Sequence, residues 1–437
     1  MTFTVIVSAI TGILVFVSVL VKPHITIGKI QIGTYWVISC LGALILIISR
    51  SVPLKYLLSE LNSEAQINPI KILILFFTMT SLSIFLDEVG FFRYLANLAI
   101  KKTGKNQIKL FIIIYALVSI LTIFTSNDIV ILTFTPFICF FAKEAHINPI
   151  PYLFGEFVGA NTWSMFLIIG NPTNIYIASF ANIDFMSYVF RMFLPTCSAG
   201  ITSLFLLLLV FRRQLKKEME TTDVEDVVIE DKFALRVGVV LLAACTILLA
   251  ISSYLKLEMY LITAGFAISL FLIIFISNLV RHKKHTYLVS TVKRLPYELI
   301  PFVLSMFVLV ISLSYCGVTS VISEMLVKGD PTYKVGFASF FAANVINNIP
   351  MSVLFSSIIN ASNTAQNMYQ VSVYSAIIGS NLGAFFTPVG ALAGIMWLSI
   401  LGKNGIKFSF RNFVTDGAVI SIPTMMVALS VLHLEFL

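Results

Sequence analysis

The chain has 437 residues, of which 58% are hydrophobic and only 11% are charged, and its formal net charge is +8. A soluble domain carries about 25% charged residues, so this composition excludes an ordinary soluble protein and indicates a polytopic membrane protein. The basic residues cluster at the ends of apolar segments, where they are typical of cytoplasmic loops and not of nucleic-acid binding.

Ten apolar segments are long enough to cross a bilayer, which takes about twenty residues. They cover residues 2–21, 30–49, 69–88, 149–178, 184–211, 233–253, 257–280, 296–316, 368–402 and 413–434. The segments 149–178 and 368–402 are too long for one straight span and contain Pro and Gly, which predicts two discontinuous helices. Polar residues interrupt two further apolar regions, 106–145 and 333–362, halfway along, which predicts two re-entrant helical hairpins.

The same order of elements recurs in both halves of the chain. Asn127 is separated from Asn348 by almost the same length of chain that separates Asn161 from Asn381. We therefore expect an all-α fold of two repeats, with the basic loops on the cytoplasmic side and the repeats inverted, as alternating access requires. The expected units are an N-terminal repeat 1–212, a charged cytoplasmic linker 213–232 and a C-terminal repeat 233–437.

Polar breaks inside apolar stretches are the candidate functional site. They lie at Thr125–Asp128, Gly170–Asn174, Asn347–Pro350 and Thr387–Gly390. Secondary transporters build their solute sites at mid-membrane from such breaks. The candidate substrate-binding residues are Asn127, Asn171, Thr173, Asn174, Asn348, Asn381 and Thr387. Their carboxamides and nearby helix termini suit an anion, a neutral hydroxylated solute or a sodium ion; alternatively, the Asn side chains only cap the broken helices.

Three carboxylates are candidates for proton coupling. Asp128 is the strongest, because burial near the midplane disfavours a charged carboxylate, although a capping role is the alternative. Glu156 lies inside the first discontinuous helix, where it would carry a proton or neutralise a cation. Asp87 ends a predicted span and is either a gate, a second proton site or an interface carboxylate. The cysteines show no CxxC spacing, so we expect no metal site.

The chain resembles the arsenite/antimonite efflux permeases, within the ion-transporter superfamily that includes divalent-anion/sodium symporters. The stretches that carry this resemblance are Phe85–Phe92, Ser126–Pro136, Gly170–Ile175, Asn347–Met351, Gly379–Gly383 and Thr387–Ala393. The resemblance implies proton-coupled efflux of arsenite and antimonite across a bacterial cytoplasmic membrane. It also suggests a homodimer and a separate soluble ATPase subunit as partners, besides membrane lipids.

Two transporters of the same superfamily remain as alternatives: a sodium-coupled anion or carboxylate symporter, and a sodium/proton antiporter. Ser126-Asn127-Asp128 departs from the Ser-Asn-Thr signature of the carboxylate symporters, which disfavours the first. Asp128 and Glu156 would supply the acids that the second needs. No Walker A motif and no catalytic constellation is visible, so we expect neither enzyme activity nor a cofactor.

Overall fold

The fold is almost entirely helical, because apolar residues in lipid must satisfy their backbone hydrogen bonds within the segment. The computed structural model describes residues 2–21, 24–27, 30–62, 69–101, 106–217, 219, 228–362 and 364–437. Residues 218 and 220–227 of the predicted linker lie outside these residues. An all-α polytopic fold is confirmed, apart from one short pair of antiparallel strands.

The elements of the first half are α1 (Thr2–Val21), β1 (His24–Ile27), β2 (Ile30–Gly33), α2 (Thr34–Ile48), α3 (Leu54–Asn62), α4 (Pro69–Glu88), α5 (Phe91–Lys101), α6 (Gln107–Phe124), α7 (Asn127–Glu144), α8 (Ile150–Trp163), a 3-10 turn (Ile168–Gly170), α9 (Pro172–Phe180) and α10 (Phe185–Leu215). Those of the second half are α11 (Lys232–Ala250), α12 (Ser252–Leu255), α13 (Met259–Val280), α14 (Thr286–Arg294), α15 (Leu299–Tyr315), α16 (Val318–Val327), α17 (Pro331–Ile346), α18 (Asn348–Asn360), α19 (Gln366–Gly383), α20 (Leu392–Lys403) and α21 (Phe410–Phe436).

The helices agree with most of the predicted segments and differ clearly at the start of α2. The segment predicted as 30–49 begins as a helix only at Thr34, because Ile30–Gly33 pair with β1. The predicted discontinuous helices divide into α8 and α9 in the first half and into α19 and α20 in the second. The two predicted hairpins are the helix pairs α6–α7 and α17–α18, which turn at the predicted polar residues.

Seven stretches among the described residues are long and apolar enough to span a membrane. They are Ile70–Glu88, Gln107–Phe124, Phe185–Leu215, Lys232–Ala250, Met259–Val280, Thr286–Tyr315 and Phe410–Phe436. Three shorter apolar helices, Thr2–Ser18, Thr34–Ile48 and Val318–Val327, accompany them. One of the seven is α6, a predicted hairpin arm, whose 18 residues reach about 27 Å and thus nearly cross the hydrocarbon core.

The two helices that lead into the breaks lie at the centre of the bundle. Every residue of α8 from Pro151 to Thr162 is buried, as is every residue of α19 from Val371 to Gly383. A helix that is buried on all faces has protein neighbours all round, in contrast to α11, where Ile247 is 65% exposed on the outer surface. The breaks therefore begin in the interior of the protein.

Candidate functional site

The first hairpin turns at Ser126, and its second arm begins with Asn127. The Asn127 Nδ2 donates a hydrogen bond to Asn161 Oδ1 on α8, over 3.0 Å. Within the described residues, Asn127 Oδ1 and Ser126 Oγ are buried and have no hydrogen-bond partner. The first tip therefore has one side-chain anchor to the centre and two unpartnered oxygens.

The second hairpin turns at Asn347, whose backbone has a positive φ of 72°. The side chain of Asn347 accepts from Ile349 N at 3.4 Å and donates to Val389 O at 3.1 Å. The Asn348 N–H donates to Gly390 O at 3.1 Å, which joins the tip to the break between α19 and α20. As at the first tip, a side-chain amide oxygen, Asn348 Oδ1, is buried without a partner among the described residues.

Asn and Thr side chains hold the backbone at each break. In the first break, Asn171 Oδ1 accepts from the N–H and the hydroxyl of Thr173, both at 3.1 Å. Asn174 Nδ2 donates to Ser164 O at 2.7 Å, which brings α9 back against the end of α8. In the second break, the Thr387 hydroxyl and N–H donate to Asn344 Oδ1 at 2.7 and 3.0 Å. The free backbone groups that a break creates are thus partly satisfied by side chains.

Asn381 of α19 connects the two halves of the chain. Its Oδ1 accepts from Ser164 Oγ at 2.9 Å and from Asn171 Nδ2 at 2.8 Å. Its Nδ2 donates to Asn174 Oδ1 at 2.7 Å. All four residues are fully buried. The structure therefore brings Asn171, Asn174 and Asn381 into one amide cluster. Most hydrogen-bonding groups of these side chains have partners within the protein.

The unpartnered polar atoms lie at different positions from this cluster. Besides the tip oxygens, the hydroxyls of Thr162 and Ser380 are buried and without a partner in the part of the chain that is described. Ser380 adjoins Asn381, and Thr162 adjoins Asn161. Buried polar atoms without partners are costly, so groups of this kind are suited to a ligand that supplies the missing hydrogen bonds. Solute binding by the predicted residues stays a prediction.

Asp128 lies in the first turn of α7, next to Asn127, and is partly exposed. No described hydrogen bond or ion pair involves its carboxylate. The helix N-terminus favours a negative charge at this position, whereas the apolar surroundings disfavour it. A carboxylate without a fixed partner is free to exchange a proton, which keeps Asp128 as the strongest of the predicted proton carriers.

Glu156 is fully buried in α8 and faces α7. Thr135 Oγ1 lies 3.1 and 3.2 Å from its two carboxylate oxygens and 2.6 Å from Ile131 O. A threonine hydroxyl has only one hydrogen, and the shorter contact to Ile131 O is the better place for it. The carboxyl group of Glu156 then makes its best hydrogen bond as a neutral acid, in which its O–H donates to Thr135 Oγ1.

Asp87 lies at the end of α4 and has a cationic partner. Its Oδ2 is 2.7 Å from Arg294 Nη2, and the neighbouring Glu88 contacts the same guanidinium at 2.5 Å. The two carboxylates thereby connect the first half of the chain to α14 in the second. This ion pair supports an interface or gate role for Asp87 more than that of a free proton carrier.

Asn344 belongs to the site although it was not among the predicted residues. It lies in α17, three residues before the tip, and its Nδ2 donates to Gly383 O at 2.9 Å while its Oδ1 holds Thr387. The alignment that places Asn127 on Asn348 places Ile123 on Asn344, so the repeat symmetry carries no signal for Asn344. The polar side chain in an apolar hairpin arm is the only sequence signal for it.

Residues 32–376 match the family described as Citrate transporter. The chain belongs to the citrate transporter family. It is also 26% identical over 375 residues to the arsenical pump membrane protein of Escherichia coli K12, covering 82% of this chain and 85% of that protein. The putative arsenical pump membrane protein of Bacillus subtilis 168 is 23% identical over 382 residues, with 80% and 84% covered. The chain is thus a multi-pass membrane transporter, and the resemblance to arsenical permeases is confirmed.

Among solved structures, the YdaH transporter of Alcanivorax borkumensis aligns over 99% of this chain and 97% of its own, with 11% identity and a TM-score of 0.47. That likeness is too distant to carry an argument about the site.

Proposed function

We propose that this transporter exports arsenite and antimonite, as neutral trihydroxides, in exchange for protons. The observation that carries the proposal is the pair of unpartnered amide oxygens, Asn127 Oδ1 and Asn348 Oδ1, one at each hairpin tip. A trihydroxide supplies three O–H donors for such acceptors, whereas the ionised carboxylate groups of an anionic substrate supply none. Neither Thr125–Asp128 nor Asn347–Pro350 contains a basic residue that would attract an anion.

In this proposal the seven predicted substrate-site residues divide into two groups. Asn127 and Asn348 contact the solute. The others, Asn171, Thr173, Asn174, Asn381 and Thr387, hold the broken helices in the geometry that keeps the two tips in place. This division is supported by their hydrogen bonds, since the second group is engaged with protein partners.

The proton roles follow the environments of the three carboxylates. Asp128 exchanges the coupling proton, because its carboxylate has no described partner and adjoins Asn127. Glu156 holds a second proton in the interface between α7 and α8, where Thr135 is its only described side-chain hydrogen-bond partner. Asp87 acts as a gate through its ion pair with Arg294. A homodimer and a soluble ATPase subunit stay predictions.

Sodium coupling is the second candidate, because acceptor oxygens at the tips also suit a sodium ion. A sodium-coupled anion symporter would need these oxygens for the cation and donors elsewhere for the anion. A sodium/proton antiporter would use the same oxygens together with Asp128. Both alternatives require sodium for transport, which separates them from the proposed function.

The deciding experiment uses everted vesicles from cells that lack their own arsenite export. Accumulation of trivalent arsenic is followed under an imposed proton gradient, with and without sodium, for the wild type and for Asp128→Asn. We expect accumulation that depends on protons and not on sodium, and that Asp128→Asn abolishes. Glu144→Gln, at the exposed end of the same helix α7, is the matched control and should retain transport.

Two results would count against the proposal in different ways. Absence of arsenic accumulation under every gradient would exclude arsenite as the substrate, and sodium-dependent carboxylate uptake would then be measured. Proton-driven accumulation that persists in Asp128→Asn would keep the substrate and reject Asp128 as the proton carrier.

A further inference from the structure

A cavity of about 340 Å³ lies where α2, α3 and α15 meet. Leu46 of α2 and Val308 of α15 line it, together with Leu57 of α3 and Arg50 of the loop between α2 and α3. Its described lining contains no residue of the breaks or the hairpins. The volume falls within the range of about 300–1,000 Å³ that is typical of small-molecule pockets. This cavity is therefore a candidate binding site that is separate from the solute site.

The interior of the cavity is apolar. Leu46, Leu57 and Val308 are all buried, and Leu57 packs with Val308 in one small core cluster. Apart from Arg50, Ser312 is the only polar residue in the described lining, and its hydroxyl already donates to Val308 O at 2.7 Å. An interior without free polar side chains favours a hydrocarbon chain over a polar solute.

Arg50 is the only charged residue in the described lining, and it is exposed. Its guanidinium forms no hydrogen bond and no ion pair with the described part of the chain. Arg binds phosphate oxygens well, because its planar group presents paired N–H donors. A free guanidinium beside an apolar cavity therefore matches a ligand that joins a phosphate to a hydrocarbon chain.

The position of the cavity along the bundle fits such a ligand. Arg50 is the first charged residue after α2, which contains none from Thr34 to Ile48. The next helix, α3, has only nine residues, and its Leu54 and Leu58 are exposed on one face, four residues apart. A short helix with an exposed apolar face is typical of the membrane surface. Arg50 is thus at the level of the lipid headgroups, and Leu46, one turn back along α2, is at the level of the acyl chains.

We propose that this cavity binds one anionic phospholipid, whose phosphate contacts Arg50 and one of whose acyl chains enters between Leu46, Leu57 and Val308. Charge complementarity with the free guanidinium selects this occupant. The described lining contains no acid that would receive the ammonium group of a zwitterionic headgroup, so phosphatidylglycerol is favoured over phosphatidylcholine. The bound lipid would hold α3 against α2 and α15, whatever solute the protein transports.

Native mass spectrometry measures this binding without any transport. The purified full-length protein, stripped of lipid in detergent, is titrated with dioleoylphosphatidylglycerol, and the bound molecules are counted. We expect the wild type to bind one molecule more tightly than any further ones. Arg50→Gly should weaken that binding about tenfold or more, as expected when a charge-assisted hydrogen bond is lost. Arg50→Lys, which keeps the charge without the paired donors, should lie in between.

The choice of Gly separates the loss of the side chain from a loss of folding. Arg50 has a φ of 52°, in the left-handed region that Gly adopts without strain. Lys256→Gly is the matched control, because Lys256 is also basic and exposed, follows a helix and has a φ of 54°. Lys256 does not line the cavity, so this variant removes the same charge and should bind the lipid as the wild type does.

The apolar part of the site is tested separately. Val308→Phe places a larger side chain in the cavity and should also weaken the binding about tenfold or more. If this variant fails to fold, Leu57→Phe fills the same cavity from α3. Two further probes divide the ligand: dioleoylglycerol has the chains without the phosphate, and glycerol 3-phosphate has the phosphate without the chains. Both should bind far more weakly than dioleoylphosphatidylglycerol.

Equal affinities of Arg50→Gly and Lys256→Gly for dioleoylphosphatidylglycerol would overturn the proposal, and so would unchanged binding in a folded cavity-filling variant. Dioleoylglycerol that binds as tightly would reject the phosphate contact, and glycerol 3-phosphate that competes fully would reject the acyl-chain site. Equal binding of dioleoylphosphatidylcholine would reject the selectivity for an anionic headgroup. Protein dimers that form in place of the lipid complex would show that a second copy covers the cavity instead.

Discussion

The two hairpin tips have similar polar sequences but very different backbones. At the first tip, Ser126 has an ordinary extended conformation (φ −101°, ψ 141°), and one bond from Asn127 reaches α8. At the second, Asn347 has φ 72° and ψ 156°, a region that residues other than Gly rarely adopt. Three bonds from Asn347 and Asn348 hold this tip in place.

This difference indicates a division of roles between the two halves. The strained backbone lies at the tip without an acid, where neighbouring backbone groups clamp it. The titratable residue, Asp128, lies at the tip with fewer attachments. Backbone strain persists only where the surroundings enforce it, so the second tip is the more rigid of the two. A rigid tip and a less constrained acidic tip fit a transporter whose coupling proton is handled in one half only.

The packing of the broken helices against the hairpins is also tighter in the second half than in the first. Gly159 of α8 and Gly379 of α19 are related by the same sequence offset as Asn161 and Asn381, so they occupy equivalent positions. A Cβ on Gly159 would approach the ring of Tyr115 at 3.1 Å, whereas one on Gly379 would collide with Gly336 O and Ser339 Oγ of α17. In the second half, the hairpin arm and the broken helix therefore touch backbone to backbone.

The largest effect is expected from Gly379→Ala. The added methyl group meets backbone atoms that cannot rotate away, so α17 and α19 must separate, at a cost of about 3 kcal/mol or more. Gly159→Ala is the matched control, since the Tyr115 ring can shift slightly, and it should cost clearly less. The measurement is the Tm of the purified protein in detergent, together with the yield of folded protein. Equal losses in the two variants would mean that the two halves are packed alike.

A smaller effect is expected at the second tip. Asn347→Ala keeps the unfavourable φ and loses the bonds to Ile349 N and Val389 O, which should cost about 1–3 kcal/mol. Asn347→Gly also loses the bonds but relieves the backbone, so its Tm should lie between those of the wild type and Asn347→Ala. Ser126→Ala, at the relaxed first tip, removes only an unpartnered hydroxyl and should change the Tm little. If Asn347→Gly were less stable than Asn347→Ala, backbone strain at the second tip would be disproved.

Much of this organisation could be predicted from local signals. Pro172 follows Asn171 in an apolar segment, and this pair predicts both the break and its cap. Polar residues in the middle of an apolar region likewise predicted the turn of each hairpin, which lies at Ser126 and Asn347, directly before Asn127 and Asn348. The start of α2 was misjudged, because the strand pairing of Ile30–Gly33 is invisible to a hydrophobicity criterion.

Contacts between distant parts of the chain could not be predicted in this way. Arg294 and Asp87 lie in different halves of the chain, and no periodicity connects them. The cluster around Asn381 requires the broken helices of both halves to meet, which is a property of tertiary packing. Asn344 was missed because it has no polar counterpart in the first half. The sequence therefore indicated which residues are unusual in a membrane segment but not which of them are satisfied by partners.

The smallest expected effect concerns the caps that begin the two hairpins. Asp330 caps α17, accepting from Thr332 N at 3.0 Å, and Asn106 caps α6, accepting from Lys109 N at 2.9 Å. Burial alone would raise the pKa of Asp330, but hydrogen bonds from Thr332 and the nearby positive charges of His433 and Lys334 lower the pKa below its usual range. Asn106 does not titrate, so only the second hairpin has a cap that depends on pH.

Because the pKa of Asp330 is lower in the folded than in the unfolded protein, its contribution to stability is complete above the unfolded value of about 3.9 and is lost as the pH falls further. Asp330→Asn retains the cap but not the charge, so its Tm should fall less than that of the wild type between pH 5 and pH 3. Asn106→Asp introduces a titrating cap at the first hairpin, and the Tm of this variant should fall more steeply over the same range. The difference in Tm between each variant and the wild type is followed with pH in detergent. This difference separates the effect of the caps on stability from the effect of the other acidic residues. Identical acid profiles for Asp330→Asn and the wild type would show that the second hairpin, like the first, begins with a cap that is insensitive to pH.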